Sequence, residues 1–133
     1  MNKYLLLLVS FAISYGAYGQ ASPETSSGIG YISVSAAYEM LSTKEGVEGS
    51  NQKGWVIFKD STDNSLWSFT PLEHPAYPSA IKRTVVEENG EIVIEMRALC
   101  GAEKLACDEL IRAFRKMNEK KKSELNTKRV EKT

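Results

Sequence analysis

Residues 67–83 read WSFTPLEHPAYPSAIKR and contain three of the four prolines and the single histidine of the chain. Each proline fixes its own φ angle and biases the preceding residue toward extended geometry. A segment restricted in this way loses little conformational entropy on folding. We therefore expect residues 71–78, called the proline loop below, to hold His74 and Tyr77 in defined positions between two strands.

Two strands are predicted before the proline loop. Residues 55–60 read WVIFKD, which is the β-branched and aromatic composition of a strand. Residues 66–70 alternate the rings of Trp67 and Phe69 with polar side chains, and the polar residues 61–65 before them are typical of a turn. These two segments are expected to pair as an antiparallel hairpin.

A second hairpin is predicted after the proline loop. Residues 80–87 and 92–99 flank Asn89-Gly90, which is the strongest short signal for a β-hairpin. Together, the two hairpins provide four antiparallel strands.

The register of the second hairpin decides which basic side chain joins its apolar face. A two-residue turn places Arg83 opposite Met96. The companion pairs on that face are then Val85 with Ile94 and Ile81 with Ala98. A bulged turn shifts the pairing by one residue and brings Lys82 beside Met96 instead. The basic side chain either extends to solvent at the sheet edge or forms a buried cation aimed at a carboxylate, for which Glu73 is the nearest candidate.

Amphipathic patterns predict one helix before the strands and one after them. Ser33 is a suitable N-cap for a first helix over Val34–Thr43. A second helix begins near Ala102, and its apolar face is marked by Cys107, Leu110, Ile111, Phe114 and Met117. Residues 44–54 contain three glycines and no periodicity, so they are expected to form a loop.

The predicted order is a helix, four strands and a helix, which is an α+β fold. Four antiparallel strands with one apolar face, covered by two amphipathic helices, form a two-layer sandwich. The single domain is expected over residues 31–118. Residues 119–133 are expected to be a basic, disordered tail, because the apolar periodicity stops near Lys122.

The first residues have the pattern of a secretory signal peptide. Lys3 precedes an apolar run that is too short to span a bilayer, and small residues lead to a cleavage site after Gly19, or alternatively after Ala21. Residues 1–19 are therefore expected to be removed, and residues 20–30 to form a flexible linker. The mature protein is expected to be periplasmic or secreted and not to span a membrane.

Cys100 and Cys107 are the two cysteines of the chain. An oxidising compartment favours a disulfide between them. Their spacing is not that of a C-x-x-C redox motif, and two thiols with one distant histidine make a poor zinc site. We predict a structural disulfide that joins the last strand to the second helix, with no metal site and no cofactor.

Charge is unevenly distributed, although the whole chain is neutral at pH 7. Residues 112–133 contain nine Lys or Arg against three Glu, a net charge of +6, whereas residues 20–111 contain seven basic against fourteen acidic residues, a net charge of −7. The basic segment is interpreted as a solvated helix end, and the alternative is contact of Lys120, Lys121 and Lys122 with an anionic surface. Nucleic acid is not expected as a partner, because no aromatic residues are interleaved with the basic ones.

His74 is the residue on which any classical nucleophilic mechanism must depend. The sequence contains no G-x-S-x-G, no H-E-x-x-H and no glycine-rich phosphate-binding loop. No catalytic residue is therefore predicted. Aromatic residues in or beside the proline loop are either core or the anchors of an interface. The candidate binding residues are Trp67, Phe69, Glu73, His74, Tyr77, Lys82 and Arg83.

The motifs W-S-F-T-P, H-P-A-Y-P-S and K-R all lie in residues 67–83, and a hairpin and a C-x6-C spacing follow them. With these motifs, the chain resembles a group of small exported bacterial proteins that share the pattern WxFTPxxHPAYPSxxKR. The resemblance covers about residues 33–118. It implies export, a disulfide and a single domain, and it assigns no catalytic residue and no cofactor.

Two classes of function agree with the sequence. The favoured class is a small exported, non-enzymatic binding module that engages another envelope or secreted protein through the proline loop, by analogy with inhibitors of cell-wall hydrolases and immunity proteins. The alternatives are a hydrolase-type enzyme that uses His74, with Glu73 or Arg83 in support, and a domain that docks on anionic envelope surfaces through its basic tail.

Overall fold

The computed structural model describes residues 29–133, which form an antiparallel sheet and two helices, as expected for an α+β fold. The sheet has five strands rather than four, and each strand pairs with its neighbours in sequence. The elements are α1 (Val34–Thr43), β1 (Val47–Gln52), β2 (Trp55–Asp60), β3 (Ser65–Phe69), β4 (Ser79–Glu88), β5 (Glu91–Cys100) and α2 (Lys104–Glu131). The predicted signal peptide, residues 1–19, lies outside the described residues.

Strand β1 is formed by residues that the sequence predicts to be a loop. It pairs antiparallel with β2 along its whole length. Lys53 and Gly54 both have positive φ angles and form the two-residue turn between the strands. Gly49 lies against Phe58, where an added Cβ would come within 3.1 Å of the ring. The prediction of a loop is wrong because this edge strand has exposed, polar side chains and therefore no apolar alternation.

The second hairpin adopts the register expected for a two-residue turn. Asn89 and Gly90 have φ angles of 51° and 81°, the left-handed values that this type of turn requires. Arg83 lies opposite Met96, with Val85 opposite Ile94 and Ile81 opposite Ala98. The bulged alternative is therefore excluded, and Arg83 rather than Lys82 lies beside Met96.

The two helices lie on opposite faces of the sheet, since alternate residues of a strand point to opposite sides. On the α1 face, Ala37 and Leu41 pack against Phe58, Trp67, Phe69 and Ala80. On the α2 face, Leu110 and Phe114 pack against Trp55, Ile81, Met96 and Ala98. The sheet is therefore the middle of three layers, and the predicted two-layer sandwich is wrong. The physical reason is that the strands carry apolar residues on both sides, as in the run WVIF that begins β2.

Helix α1 begins as predicted. Ser33 is the N-cap, and its Oγ accepts a hydrogen bond from the backbone N–H of Ala36 at 3.1 Å. Ile29, which belongs to the predicted linker over residues 20–30, is buried in the same cluster as Ala37. The core of the α1 face therefore includes a residue ahead of the predicted domain start at Tyr31.

Helix α2 continues to Glu131, through the residues predicted to form a disordered tail. The side chain of Asn126 binds both backbone groups of Ile92, because its Nδ2 donates to Ile92 O at 3.2 Å and its Oδ1 accepts from Ile92 N at 2.9 Å. Arg129 binds Glu87 at 2.6 Å. The prediction of disorder is wrong because polar contacts with the second hairpin, rather than apolar periodicity, hold this part of the helix.

A buried carboxylate joins the end of α1 to the turn after β2. Oδ2 of Asp60 lies 2.6 Å from Nζ of Lys44, and Oδ1 accepts hydrogen bonds from N and Oγ1 of Thr62 at 2.9 and 2.5 Å. Burial alone would raise the pKa of Asp60, but the hydrogen bonds from Lys44 and Thr62 outweigh it and hold the pKa below its usual value. Asp60 is therefore ionised at neutral pH and ties the residue after α1 to the sheet.

Cys100 and Cys107 form the predicted disulfide, which joins the last residue of β5 to the first turn of α2. Replacing both by alanine is expected to lower the free energy of unfolding by about 2.5 kcal/mol, because the bridge restricts a short loop of the unfolded chain. Urea unfolding of the variant, compared with oxidised and reduced wild-type protein, measures this effect. A variant as stable as the oxidised wild type would contradict the expectation.

Candidate functional site

The proline loop is held by hydrogen bonds at its base and within its turns. At the base, Thr70 N donates to Ser79 O at 3.0 Å, and Ser79 N donates to Thr70 Oγ1 at 2.9 Å. Within the loop, His74 N donates to Pro71 O at 3.0 Å and Tyr77 N donates to His74 O at 2.9 Å, which makes two successive turns. The loop is thus fixed by backbone contacts as well as by its prolines.

His74 has a structural position in this loop. Its ring packs edge-on against Trp55 with the ring centroids 5.2 Å apart, and its Nδ1 accepts a hydrogen bond from Ala76 N at 3.0 Å. Within residues 29–133, its side chain forms no hydrogen bond with a hydroxyl group. Both cysteines are in the disulfide. Within the described residues, therefore, neither a hydroxyl group nor a free thiol is hydrogen-bonded to His74.

Trp67 and Phe69, two of the candidate binding residues, are buried in the core of the α1 face. Their rings stack at 6.2 Å between centroids. Lys82 covers Trp67, with its Nζ 5.5 Å from the ring centroid and 2.8 Å from Oδ2 of Asp63. Trp67 and Lys82 therefore stabilise the α1 face of the sheet and do not present an apolar surface to a partner.

An apolar groove, called the loop groove below, lies between α1 and the proline loop on the α1 face. Its volume is about 430 Å³. Its apolar lining consists of Val34, Tyr38, Val56, Phe69, Pro71, Leu72, Tyr77 and Pro78. Leu72 and Tyr77 of the proline loop are 75% and 45% exposed, and Tyr38 of α1 is 41% exposed. The fold thus brings exposed, large apolar side chains from two elements together around one recess.

The loop groove includes some of the predicted site residues and leaves others out. Tyr77 lies at its edge and Phe69 forms part of its floor. Glu73 is exposed outside its lining. Tyr38 and Leu72 were not predicted. Tyr38 follows Val34 and Ala37 at the spacing of an apolar helix face, which indicates burial, and Leu72 has no periodic context. The signal that could have found Leu72 is an isolated large apolar residue beside Pro71 in a surface loop.

Arg83 lies on the α2 face and is not paired with Glu73. Its Cζ is 5.1 Å from the ring centroid of Phe114, and within residues 29–133 it forms no salt bridge and no hydrogen bond from Nε. Burial lowers the pKa of its guanidinium group. The interpretation of a cation paired with Glu73 is therefore wrong, because Arg83 packs against the ring of Phe114 instead.

The part of the chain that the structure describes has no group of three or more His, Cys, Asp or Glu side chains that could hold a metal ion. Over the same residues, no helix combines the length and apolar composition needed to cross a membrane.

Comparisons with protein-family models, with curated proteins and with solved structures give no match. The resemblance to small exported proteins therefore stays an expectation from the motif in residues 67–83.

Proposed function

We propose that this protein is a small exported, non-enzymatic binding module that binds another protein in the loop groove. One observation carries the proposal. Leu72 and Tyr77 of the hydrogen-bonded loop and Tyr38 of α1 are all exposed, and all three line the same groove. A contiguous exposed apolar patch is characteristic of a protein interaction site. Tyrosine is also enriched among the residues that dominate interface energetics.

The fixed loop supports binding rather than turnover. A preorganised surface loses little conformational entropy when a partner binds, so more of the contact energy appears as affinity. Glu39 is the one charged residue that lines the groove within residues 29–133. General acid–base catalysis requires titratable groups placed around a reacting atom. Within residues 29–133, the groove offers only Glu39 and the hydroxyl groups of Tyr38 and Tyr77 as such groups, which favours contact with a partner over proton transfer.

The disulfide supports the proposed location outside the cytoplasm. Disulfides persist in oxidising compartments and are rare in reducing ones. Together with the signal-like pattern of residues 1–19, the Cys100–Cys107 bridge favours the periplasm or secretion. The partner is then another envelope or secreted protein, as for the inhibitors and immunity proteins that serve as analogies.

Combining Leu72→Ser with Tyr77→Ser is expected to weaken partner binding at least about tenfold, because both changes remove apolar contact area from the groove. The unfolding temperature should be almost unchanged, since both side chains are exposed. Photo-crosslinking from a probe placed at position 77 identifies the partner in envelope extract. Titration with the purified partner then measures the affinity of wild type and variant.

The matched control combines Leu105→Ser with Val130→Ser. These side chains are 71% and 74% exposed and lie outside the loop groove, so the control removes similar apolar surface elsewhere. The control should bind the partner like wild type. Equal binding by all three proteins, or equal loss in both variants, would show that the loop groove is not the contact.

A further inference from the structure

A second groove lies on the α2 face, on the opposite side of the sheet from the loop groove. It is bounded by α2 and by strands β2 to β5, and its volume is about 480 Å³. We call it the basic groove, after the four cationic side chains that line it: Lys59, Arg83, Lys120 and Lys121. Its apolar lining residues are Leu66, Val85, Ile94, Met117 and Leu125.

The cations come from three elements, β2, β4 and α2, that only the fold brings together. Lys59 and Arg83 occupy one cross-strand row on β2 and β4, with Leu66 of β3 between them. Lys120 and Lys121 come from the segment of α2 that the sequence predicts to be a tail. One acidic residue, Glu124, lies in the same lining, so four cations against one carboxylate leave a net charge of +3.

Arg83 has an unmet requirement for a hydrogen-bond acceptor. Its Nε is buried and has no partner within residues 29–133. The guanidinium group has five N–H donors, and leaving a buried donor unsatisfied is unfavourable. Packing against Phe114 stabilises the positive charge but gives the N–H groups no acceptor in their plane. Nε is itself out of reach of the groove, but Arg83 also lines the groove, so an anion there would supply an acceptor to the guanidinium group.

We propose that the basic groove binds a single-chain anionic amphiphile of the fatty-acid class. The anionic head accepts hydrogen bonds from Arg83, whose planar guanidinium group matches the geometry of a carboxylate. Lys59, Lys120 and Lys121 add electrostatic attraction around it. The alkyl chain lies on the apolar lining and is thereby removed from water. A small inorganic anion would leave this apolar lining exposed to water. A neutral alcohol could accept a hydrogen bond but would supply no negative charge to Arg83.

Titration calorimetry with laurate below its critical micelle concentration tests the proposal. Wild-type protein is expected to bind laurate and dodecyl phosphate at least about tenfold more tightly than dodecanol, acetate or inorganic phosphate. Methyl signals of Ile94 and Met117 should shift on binding, and ring signals of Tyr77 should not. Equal affinity for laurate and dodecanol, or shifts confined to Tyr77, would overturn the proposal.

Substitutions in the groove give the second measurement. Arg83→Met keeps an unbranched side chain over Phe114 and is expected to weaken laurate binding at least about tenfold. Lys120→Gln with Lys121→Gln should weaken it severalfold and reduce its salt dependence. The control, Arg112→Gln with Arg115→Gln, removes the same charge from exposed positions of α2 outside the lining and should bind like wild type.

An acceptor inside the protein is the competing explanation for Arg83. Oδ1 of Asn118 is also buried without a partner, and its Nδ2 lies 3.5 Å from Sδ of Met96, the residue opposite Arg83. The proposal expects Arg83→Met to unfold at a temperature no lower than wild type, because it removes an unpaired cation. A lower temperature, matched by Asn118→Leu and not additive with it, would show an internal pair and overturn the proposal. The proposal would also be overturned if wild type and Arg83→Met bound anionic vesicles equally well and neither protein bound laurate.

Discussion

Replacing Trp67 by alanine is expected to lower the free energy of unfolding by about 3–5 kcal/mol, the usual cost of removing a large aromatic side chain from a core. Trp67 is 1% exposed. Its ring centroid lies 5.5 Å from that of Tyr31 and 6.2 Å from that of Phe69, so the substitution leaves a cavity with rings on its walls. Because small domains are stable by about 5–15 kcal/mol, the variant loses a large share of its stability.

Urea unfolding followed by circular dichroism measures this loss. Tyr77→Ala is the comparison, because Tyr77 is also aromatic and close in sequence but lies at the exposed edge of the loop groove. It is expected to cost less than about 1 kcal/mol. Similar unfolding midpoints for the two variants would contradict the assigned role of Trp67 in stabilising the core.

Replacing Asp60 by alanine is expected to cost roughly 2–4 kcal/mol, because it leaves the backbone N–H of Thr62 without its acceptor and removes the partner of Lys44. The cost stays below that of a fully buried ion pair because the side chain of Lys44 is 37% exposed and can be hydrated. The control is Asp108→Asn, which removes an exposed ion pair with Lys104. That control should change the free energy by less than about 1 kcal/mol.

Asp60 and Asp63 also make the stability sensitive to acid. In each case burial would raise the pKa, but hydrogen bonds outweigh it and lower the pKa in the folded state, from Lys44 and Thr62 for Asp60 and from Lys82 and Ser65 for Asp63. The unfolded chain therefore takes up protons first as the pH falls. The stabilisation is fully present above the unfolded pKa of about 4 and is lost as the pH falls through the lower, folded pKa.

Urea midpoints measured from about pH 6 to about pH 2 should show this acid-dependent loss in the wild-type protein. Asp60→Asn should show a shallower dependence, because it removes one of the two shifted carboxyl groups. Asp108→Asn should keep the wild-type dependence. An unchanged slope in Asp60→Asn would contradict the assigned role of this carboxylate.

Local signals predicted the elements whose geometry depends on neighbouring residues. Asn89-Gly90 takes the left-handed φ angles of a two-residue turn, so both the second hairpin and the position of Arg83 opposite Met96 follow from it. Ser33 caps α1 through its own hydroxyl group, and this contact spans only three residues. Contacts between residues that are close in the chain can be predicted from short stretches of sequence.

Elements held by distant contacts could not be predicted in the same way. Strand β1 exists because its backbone pairs with β2, and its polar side chains give no sign of that pairing. The end of α2 depends on Asn126 reaching Ile92, 34 residues away. The helices can lie on opposite sides of the sheet because both faces of the strands are apolar. The sequence pattern shows that both faces can be buried, but it does not show which helix covers which face.

The residues of the candidate site also divide into those that local sequence predicts and those that depend on distant contacts. The proline loop and Tyr77 could be predicted, since proline restricts the backbone wherever it occurs. Tyr38, which lies across the loop groove from Tyr77, could not be predicted, because its exposure depends on how α1 packs on the sheet. Arg83 could be placed on an apolar face from register alone, but its neighbours Lys120 and Lys121 belong to α2 and meet it only in three dimensions.

The position of α2 after the five strands sets the order in which the described elements can come together when the chain emerges from its amino terminus. Sequential strands can pair as soon as each has emerged, because every hairpin closes a short loop. The surface that contains Trp55 and Ile81 stays wetted until Leu110 and Phe114 arrive. A chain that lacks α2 therefore exposes the apolar α2 face of its sheet to solvent and to chaperones. The disulfide between Cys100 and Cys107 can form only after α2 has brought Cys107 beside the end of β5.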